Sequence, residues 1–426
     1  MISLQMLRIK SFRAVLGKTE FARIVLAAML FAFLVLYLFA SNKIVWILYL
    51  LYLAFIAFAR MKLKLNPPTI LFLLVLPLLW GLMMSYNSDA YHFFQGFFYL
   101  SIPLILLVIG FQLTKIFQVE QYFYSIVIIG NLIALLFIII TIIKAGFGSF
   151  LSPYTEARFV VASGSPACIL SLVIAAYSEQ FNLKIFKTVW GRYLTIILNL
   201  IAIYLFAGRT YWVMLFIYVI LFSVKTIKKD RLIFYGFLFL GGLLLISAII
   251  NSKPGLTFQN SMLYKLLHSF AEIRVTDFSD YEDVNTYYRG YEAYRSWITF
   301  TEGNLVEKIF GGGYGQLVKL DTEVWLDGRF WSEVPIVHNG FFFILVKEGA
   351  MGLVFILLFF WYLVRTGIKS YNSPDPVKQF LSVFIISAAA SMFMTNFVVC
   401  GMFSHEMALV LITIGFLVPS LISGKT

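Results

Sequence analysis

Charge is what this chain most conspicuously lacks. Lys, Arg, Asp and Glu supply 13% of its 426 residues while 61% of the side chains are hydrophobic. A soluble domain carries about 25% charged residues, so a water-soluble globular fold is excluded. Cysteine is nearly absent too. Cys168 and Cys400 cannot build a disulfide framework, and both sit in or beside apolar runs, as buried thiols do. The four histidines are scattered, with no spacing that suits a metal ion. The short alternating segments of an outer-membrane barrel are missing. So are internal repeats, low-complexity tracts, linkers between soluble domains, and the half-to-half symmetry of many secondary transporters.

What the chain has in abundance is apolar length. Runs of 16 to 20 or more apolar residues recur from end to end, each able to cross roughly 30 Å of hydrocarbon as a helix. In lipid a segment must satisfy its own backbone hydrogen bonds, which selects helix. The expected fold class is all-α, a polytopic membrane bundle of about twelve transmembrane helices. The candidate spans are 24–40, 44–59, 69–84, 97–113, 124–143, 159–177, 193–207, 210–224, 232–250, 350–364, 380–399 and 407–422. The stretch after Arg23 is too long for the core of a cleaved signal peptide, so it is expected to stay as the first span.

Charge, though scarce, sets the orientation. The formal net charge is +12, yet residues 251–348 hold 9 Lys/Arg against 13 Asp/Glu, so the basic excess lies elsewhere. It falls in short links between spans, which points to membrane topology and not to nucleic acid. With a cytoplasmic N-terminus, 20 of the 33 Lys/Arg lie inside and 13 outside, 9 of those in the long polar run. Among the inner ones are Arg60, Lys62, Lys64, Lys184, Lys187, Arg192, Lys225, Lys228, Arg365, Lys369 and Lys378. Both termini are then expected in the cytoplasm. Residues 1–250 carry nine spans, 251–349 form an extracytoplasmic loop containing short helices, and 350–426 carry three more. A loop this long far exceeds the usual connection of about 4–6 residues, which marks it as functional.

Within that loop Tyr287, Tyr291, Tyr294 and Ile298 fall at helical spacing on one face, and a helix resting on the membrane surface is expected there. Arg209 sits in the tight outer turn Ala207-Gly208-Arg209-Thr210. It reads either as a snorkelling anchor or as an anion clamp, since guanidinium offers a charged planar fork to phosphate oxygens. Arg289 and Arg295 lie about 120° apart around their helix, so they would not grip one ligand together. Arg289 shares a face with Glu292 and Ser296, which permits a solvated ion pair. His338 precedes the apolar run Phe341 to Val346, at the water–lipid boundary, and its titration range suits a general base. His405-Glu406 is a second candidate, or simply a polar helix start. Gly311-Gly312-Gly313-Tyr314-Gly315 lacks the Gly-Lys-Ser/Thr ending of a phosphate loop and reads better as a hinge or close-packing turn.

Taken together, Arg209, Arg289, Phe310-Gly311-Gly312-Gly313-Tyr314-Gly315, His338-Asn339-Gly340-Phe341 and Glu348-Gly349-Ala350-Met351-Gly352 resemble the region shared by bacterial O-antigen polymerases and O-antigen ligases. That family has an arginine-bearing helix, a Gly-x-Gly-x-Gly turn, and His-Asn before a span entered through Gly-x-x-Gly. Its first arginine often follows Ser or Thr; here Gly208 precedes it. The resemblance implies a GT-C-like glycosyltransferase of lipopolysaccharide biosynthesis in the bacterial inner membrane, with its active site facing the periplasm. It implies His338, Arg289 and Arg209 as catalytic residues, and Arg295, Asn339, Gly313 and Tyr288 as substrate contacts. The implied substrate is an oligosaccharide or polysaccharide linked to undecaprenyl diphosphate. Transfer would be inverting, with no metal and no cofactor. The bilayer is a partner, chain-length regulators and flippases are candidate partners, lipid A–core would be the acceptor of a ligase, and no nucleic acid is expected. Polymerase is preferred over ligase, because His-Asn-Gly-Phe and the aromatic-rich loop are more similar to polymerases. A transporter or flippase of lipid-linked glycans is a more distant alternative, since the spans are almost free of ionisable residues.

Overall fold

The computed structural model describes residues 69–86, 88–146, 164–206, 208–226, 287–326 and 329–423, with the single positions 47, 49, 51, 278 and 284. The spans expected at 24–40 and 232–250 lie outside these residues. So do nearly all of 44–59, the opening of 159–177 and the first part of the polar run.

Apolar sequence becomes helix wherever it is long enough. In chain order the helices are α1 (Thr69–Met84), α2 (Ala90–Leu113), α3 (Val119–Ala145), α4 (Ser165–Tyr177), α5 (Val189–Phe206) and α6 (Arg209–Thr226). The polar run contributes α7 (Tyr288–Glu302), α8 (Leu305–Phe310) and strands β1 (Val318–Leu326) and β2 (Arg329–Val334). Then come α9 (Gly340–Ser370), α10 (Pro376–Val398) and α11 (Ala408–Ser423). Among the described residues seven helical stretches are long and apolar enough to cross a bilayer: α2, α3, α5, α6, α9, α10 and the His405–Ile422 stretch that contains α11. The chain is a mostly helical, multi-pass membrane protein by that criterion.

Helices α2 and α10 start several residues before the apolar windows expected from sequence, because capping groups and not hydropathy set those ends. Asp89 opens α2 by accepting from the His92 N–H at 3.2 Å. Asp375 opens α10 by accepting from Val377, with Pro376 in the first turn. Such side chains satisfy amide groups that have no partner inside the helix.

Small residues and hydroxyls join the helices to each other, as is usual where lipid gives no hydrophobic drive. A Cβ added at Gly110 of α2 would lie 2.0 Å from the Ile412 carbonyl of α11, and one at Gly415 would lie 2.3 Å from the Leu107 carbonyl. Beside this contact the Tyr122 and Thr413 hydroxyls meet at 3.0 Å, and the Tyr122 ring stacks on Phe416. Asn199 of α5 donates to Asn131 of α3 at 2.7 Å and to Ser171 of α4 at 3.2 Å, tying three helices through one buried amide.

The polar run is not purely helical. β1 and β2 form a two-stranded antiparallel hairpin, pairing Val318 with Val334 and Trp325 with Phe330, with an irregularity between Lys319 and Val324. The hairpin is pinned to α7. The Tyr291 hydroxyl accepts from the Asp321 N–H at 3.0 Å, and Arg295 donates to the Lys319 carbonyl at 2.9 Å and to the Asp321 carboxylate.

The glycine run builds a different joint. α9 breaks at Gly349, whose φ of 70° and ψ of −169° are not helical. The Gly312 and Gly313 N–H groups donate to the carbonyls of Val346 and Lys347 just above the break. Backbone left unpaired by a kink inside a membrane bundle must be satisfied in this way. Gly311 has φ of 84°, and a Cβ there would lie 2.2 Å from the Lys347 carbonyl, so only glycine fits. Tyr314 then wedges fully buried between α1 and α2. Its N–H donates to Ser85 at 2.7 Å, its hydroxyl to the Leu78 carbonyl, and its ring meets Phe93 and Phe97. Lys347, also buried, donates its Nζ to the Tyr314 carbonyl at 2.8 Å and to the Gln316 carbonyl.

Candidate functional site

A cavity of about 530 Å³ opens where one end of the bundle meets the polar run. That volume suits a small-molecule or headgroup site. Gln95 and Tyr99 near the start of α2 line it, as do Gly208 to Tyr211 at the start of α6. Tyr288, Arg289 and Glu292 enter from α7, Trp331 and Val334 from β2, and His338 from just before α9. Cys400 and Ser404 to Glu406, between α10 and α11, complete the wall. The opposite helix ends hold basic links, and Lys225 at the end of α6 reaches Asn372 beyond α9 at 3.1 Å.

Arg209, Arg289 and His338 therefore converge on one cavity from three separate stretches of chain, and Tyr288 lines it with them. The sequence explains each position. Arg209 is the first residue of α6, so its side chain leaves the helix at the bundle's end. Arg289 lies in the first turn of α7. His338 is held in front of α9 by the next residue, Asn339, whose side chain accepts from the N–H groups of Phe341 and Phe342 at 3.0 and 3.1 Å.

The other expected substrate contacts are occupied elsewhere. Asn339 caps α9 and donates its amide to the Phe397 carbonyl at 3.2 Å. Arg295 faces the hairpin, as its angular separation from Arg289 implies. Gly313 packs against the backbone of Met84 within the glycine joint. None of the three is in the cavity lining.

Glu292 is placed differently from the solvated partner the sequence suggests. It is 1% exposed. Its Oε2 accepts from the His338 N–H at 2.7 Å and lies 3.0 Å from His338 Nδ1. The Tyr288 hydroxyl donates to Oε1 at 3.4 Å, and the Tyr288 ring stands edge-on to the imidazole at 6.0 Å. Burial, and then the Glu292 carboxylate, push the Tyr288 phenol well above its usual range, so it remains a donor. Opposite, the Tyr211 hydroxyl donates to Glu406 Oε2 at 2.5 Å. The Cys400 thiol donates to the Val337 carbonyl at 2.7 Å, and burial followed by Glu292 pushes that thiol up, away from thiolate chemistry.

The site thus offers two guanidinium groups, two imidazoles, two carboxylates and several hydroxyls around a common space. Fixed cations suit a developing anionic leaving group, and an exposed imidazole backed by a carboxylate suits proton transfer. Glu292 had one signal in the sequence. It follows Tyr288 by four and Arg289 by three residues, and so shares their helical face. Compared with family models and with curated proteins, the sequence matches none.

Proposed function

We propose that this chain is a membrane glycosyltransferase acting on a glycan carried by a polyprenyl diphosphate, and that it works at the extracytoplasmic end of the bundle. The observation that carries this reading is the meeting of Arg209, Arg289 and His338 in one cavity. The positive-inside rule supports its side of the membrane, because the basic links lie at the other helix ends.

The chemistry follows from those groups. An acceptor hydroxyl oxygen attacks the anomeric carbon of the donor and forms the new glycosidic bond. Its proton passes to the imidazole of His338. The bond from that carbon to the diphosphate oxygen breaks, and the electron pair leaves with the polyprenyl diphosphate. Arg209 and Arg289 stabilise the charge that builds there, which in a partly dry site is worth roughly 10²–10³-fold per donor. A single displacement of this kind inverts the anomeric centre. Repeat-unit polymerisation, with undecaprenyl-diphosphate-linked glycan as both donor and acceptor, is the preferred form of the reaction.

A transport reading asks for ionisable groups along a path through the bundle. The buried Lys347 of α9 is instead tied to backbone carbonyls of the glycine joint. The test is an assay of purified chain with lipid-linked repeat units alone. Lengthening of the glycan supports polymerisation. Transfer that needs added lipid A–core shows a ligase, and no glycosyl transfer under either condition refutes the reading.

A further inference from the structure

We propose that Glu292 is the positioning residue for His338: it fixes the imidazole in the cavity and keeps the ring proton on Nδ1, so that Nε2 accepts the proton. This rests on the transferase reading above and deepens it.

The geometry is that of a buried anchor holding an exposed ring. The side chain of Glu292 is 2% exposed and that of His338 is 48% exposed. A histidine that open to water would ordinarily sample several rotamers. Here the same carboxylate oxygen receives both the backbone N–H, at 2.7 Å, and ring Nδ1, at 3.0 Å. Main chain and ring are therefore fixed against one atom. Three donors meet on the carboxylate once the Tyr288 hydroxyl is included, which meets the requirement that a buried charge be hydrogen-bonded. An acceptor at Nδ1 selects the tautomer with its proton there and its lone pair on Nε2. The acid-backed imidazole also becomes the stronger base, as in other His–carboxylate pairs.

The surroundings determine what removing the charge would do. From α7 the groups facing this pair are Tyr288 and Arg289, and from the segment after α10 they are Cys400, His405 and Glu406. Arg209 and Tyr211 line the same cavity from α6, and Tyr99 lines it from α2. The Tyr288 phenol and the Cys400 thiol are held neutral by burial. Of the two carboxylates lining the cavity, Glu406 accepts from the Tyr211 hydroxyl, and Glu292 lies in hydrogen-bond contact with the imidazole. Without it the imidazolium loses its adjacent counter-charge while both arginines remain, so the ring must titrate at lower pH.

The test uses the full-length chain in detergent and diethyl pyrocarbonate, which acylates imidazole only in its neutral form. The rate of modification at His338 is followed against pH by peptide mass spectrometry, in wild type and in Glu292→Gln. The midpoint is expected to move to lower pH in the variant, and an unchanged midpoint overturns the proposal. The turnover of glycosyl transfer is expected to fall roughly 10- to 100-fold, a part of the total that a general base contributes. A His338→Ala, Glu292→Gln double variant should lose no more than His338→Ala alone, whereas multiplying losses would show that Glu292 acts independently. Should the Gln variant not accumulate as folded protein, Glu292→Asp takes its place. It keeps the charge but withdraws it, so reduced turnover with little change in midpoint is expected, and wild-type turnover overturns the proposal. A shifted midpoint in a chain with no transferase activity would sink the catalytic reading and leave the Glu292–His338 contact standing.

Discussion

Two clusters in the polar run look equally motif-like in the sequence and are built for opposite ends. One is Tyr288 to Glu292 with His338; the other is Gly311 to Gly315 with Lys347 to Gly349. The first leaves its polar groups facing an open cavity, with the His338 ring half exposed. The second turns its polar groups inward, where backbone and lysine donors bond to carbonyls. Gly312 and Gly313 donate to α9 carbonyls, Lys347 donates to two others, and Tyr314 is sealed between α1 and α2. The difference teaches that charge and glycine patterning locate both clusters, but only exposure separates a place for chemistry from a joint.

The contrast can be broken most severely at His338. On the proposed reading His338→Ala lowers transfer roughly 10²–10⁴-fold, the usual contribution of a general base, while yield and melting temperature in detergent stay as in wild type. Arg209→Ala and Arg289→Ala are each expected to reduce turnover roughly 10²–10³-fold. Lysine at either position should restore only part of it, since a point charge replaces a fork. Kinetics with purified protein and lipid-linked donor check both. At the joint the effect should move from rate to stability. Gly311→Ala and Gly349→Ala force a side chain into positive φ against backbone atoms 2.2 and 2.4 Å away, at a cost of at least about 1–3 kcal/mol. A lower melting temperature is expected, with near-normal turnover per folded molecule. Arg295→Ala should be mildest. Its partner Asp321 is 68% exposed, and such pairs contribute about 0–1 kcal/mol. Faster proteolysis at the hairpin, with transfer largely kept, is the result to look for.

Much of the bundle was legible because hydropathy reports directly on which segments can lie in hydrocarbon. The windows at 69–84, 193–207, 210–224, 380–399 and 407–422 fall on helices α1, α5, α6, α10 and α11. The boundary expected at 349 falls on the break in α9, but the nine residues above it are helical too, because Asn339 caps them. The hairpin went unread although Val318, Leu320, Val324 and the intervening polar residues carry an alternating signal ahead of Asp327-Gly328. Helical spacing in the neighbouring tyrosines is the stronger periodic signal in this run.

The candidate site was legible in its arginines and histidine, residue types suited to anion binding and proton transfer, which line one cavity. Glu292 was not, because an acid three residues from an arginine reads as a surface pair until the packing of α7 is known. Its burial comes with the contact between α7 and the segment before α9, where it accepts from His338, and that is tertiary information. Asn339, Gly313 and Arg295 show the reverse case. Their residue types suit ligand contact, yet their hydrogen bonds and close packing serve helix end, joint and hairpin.

One measurement bears most directly on the cavity as a transfer site. Purified chain is mixed with a polyprenyl-diphosphate-linked glycan and an acceptor, and free polyprenyl diphosphate is quantified by mass spectrometry in wild type and His338→Ala. Release coupled one-for-one to new glycosidic bonds in wild type, and its near-complete loss in the variant, is the expected result. Equal release from both proteins, or none from wild type, would contradict it.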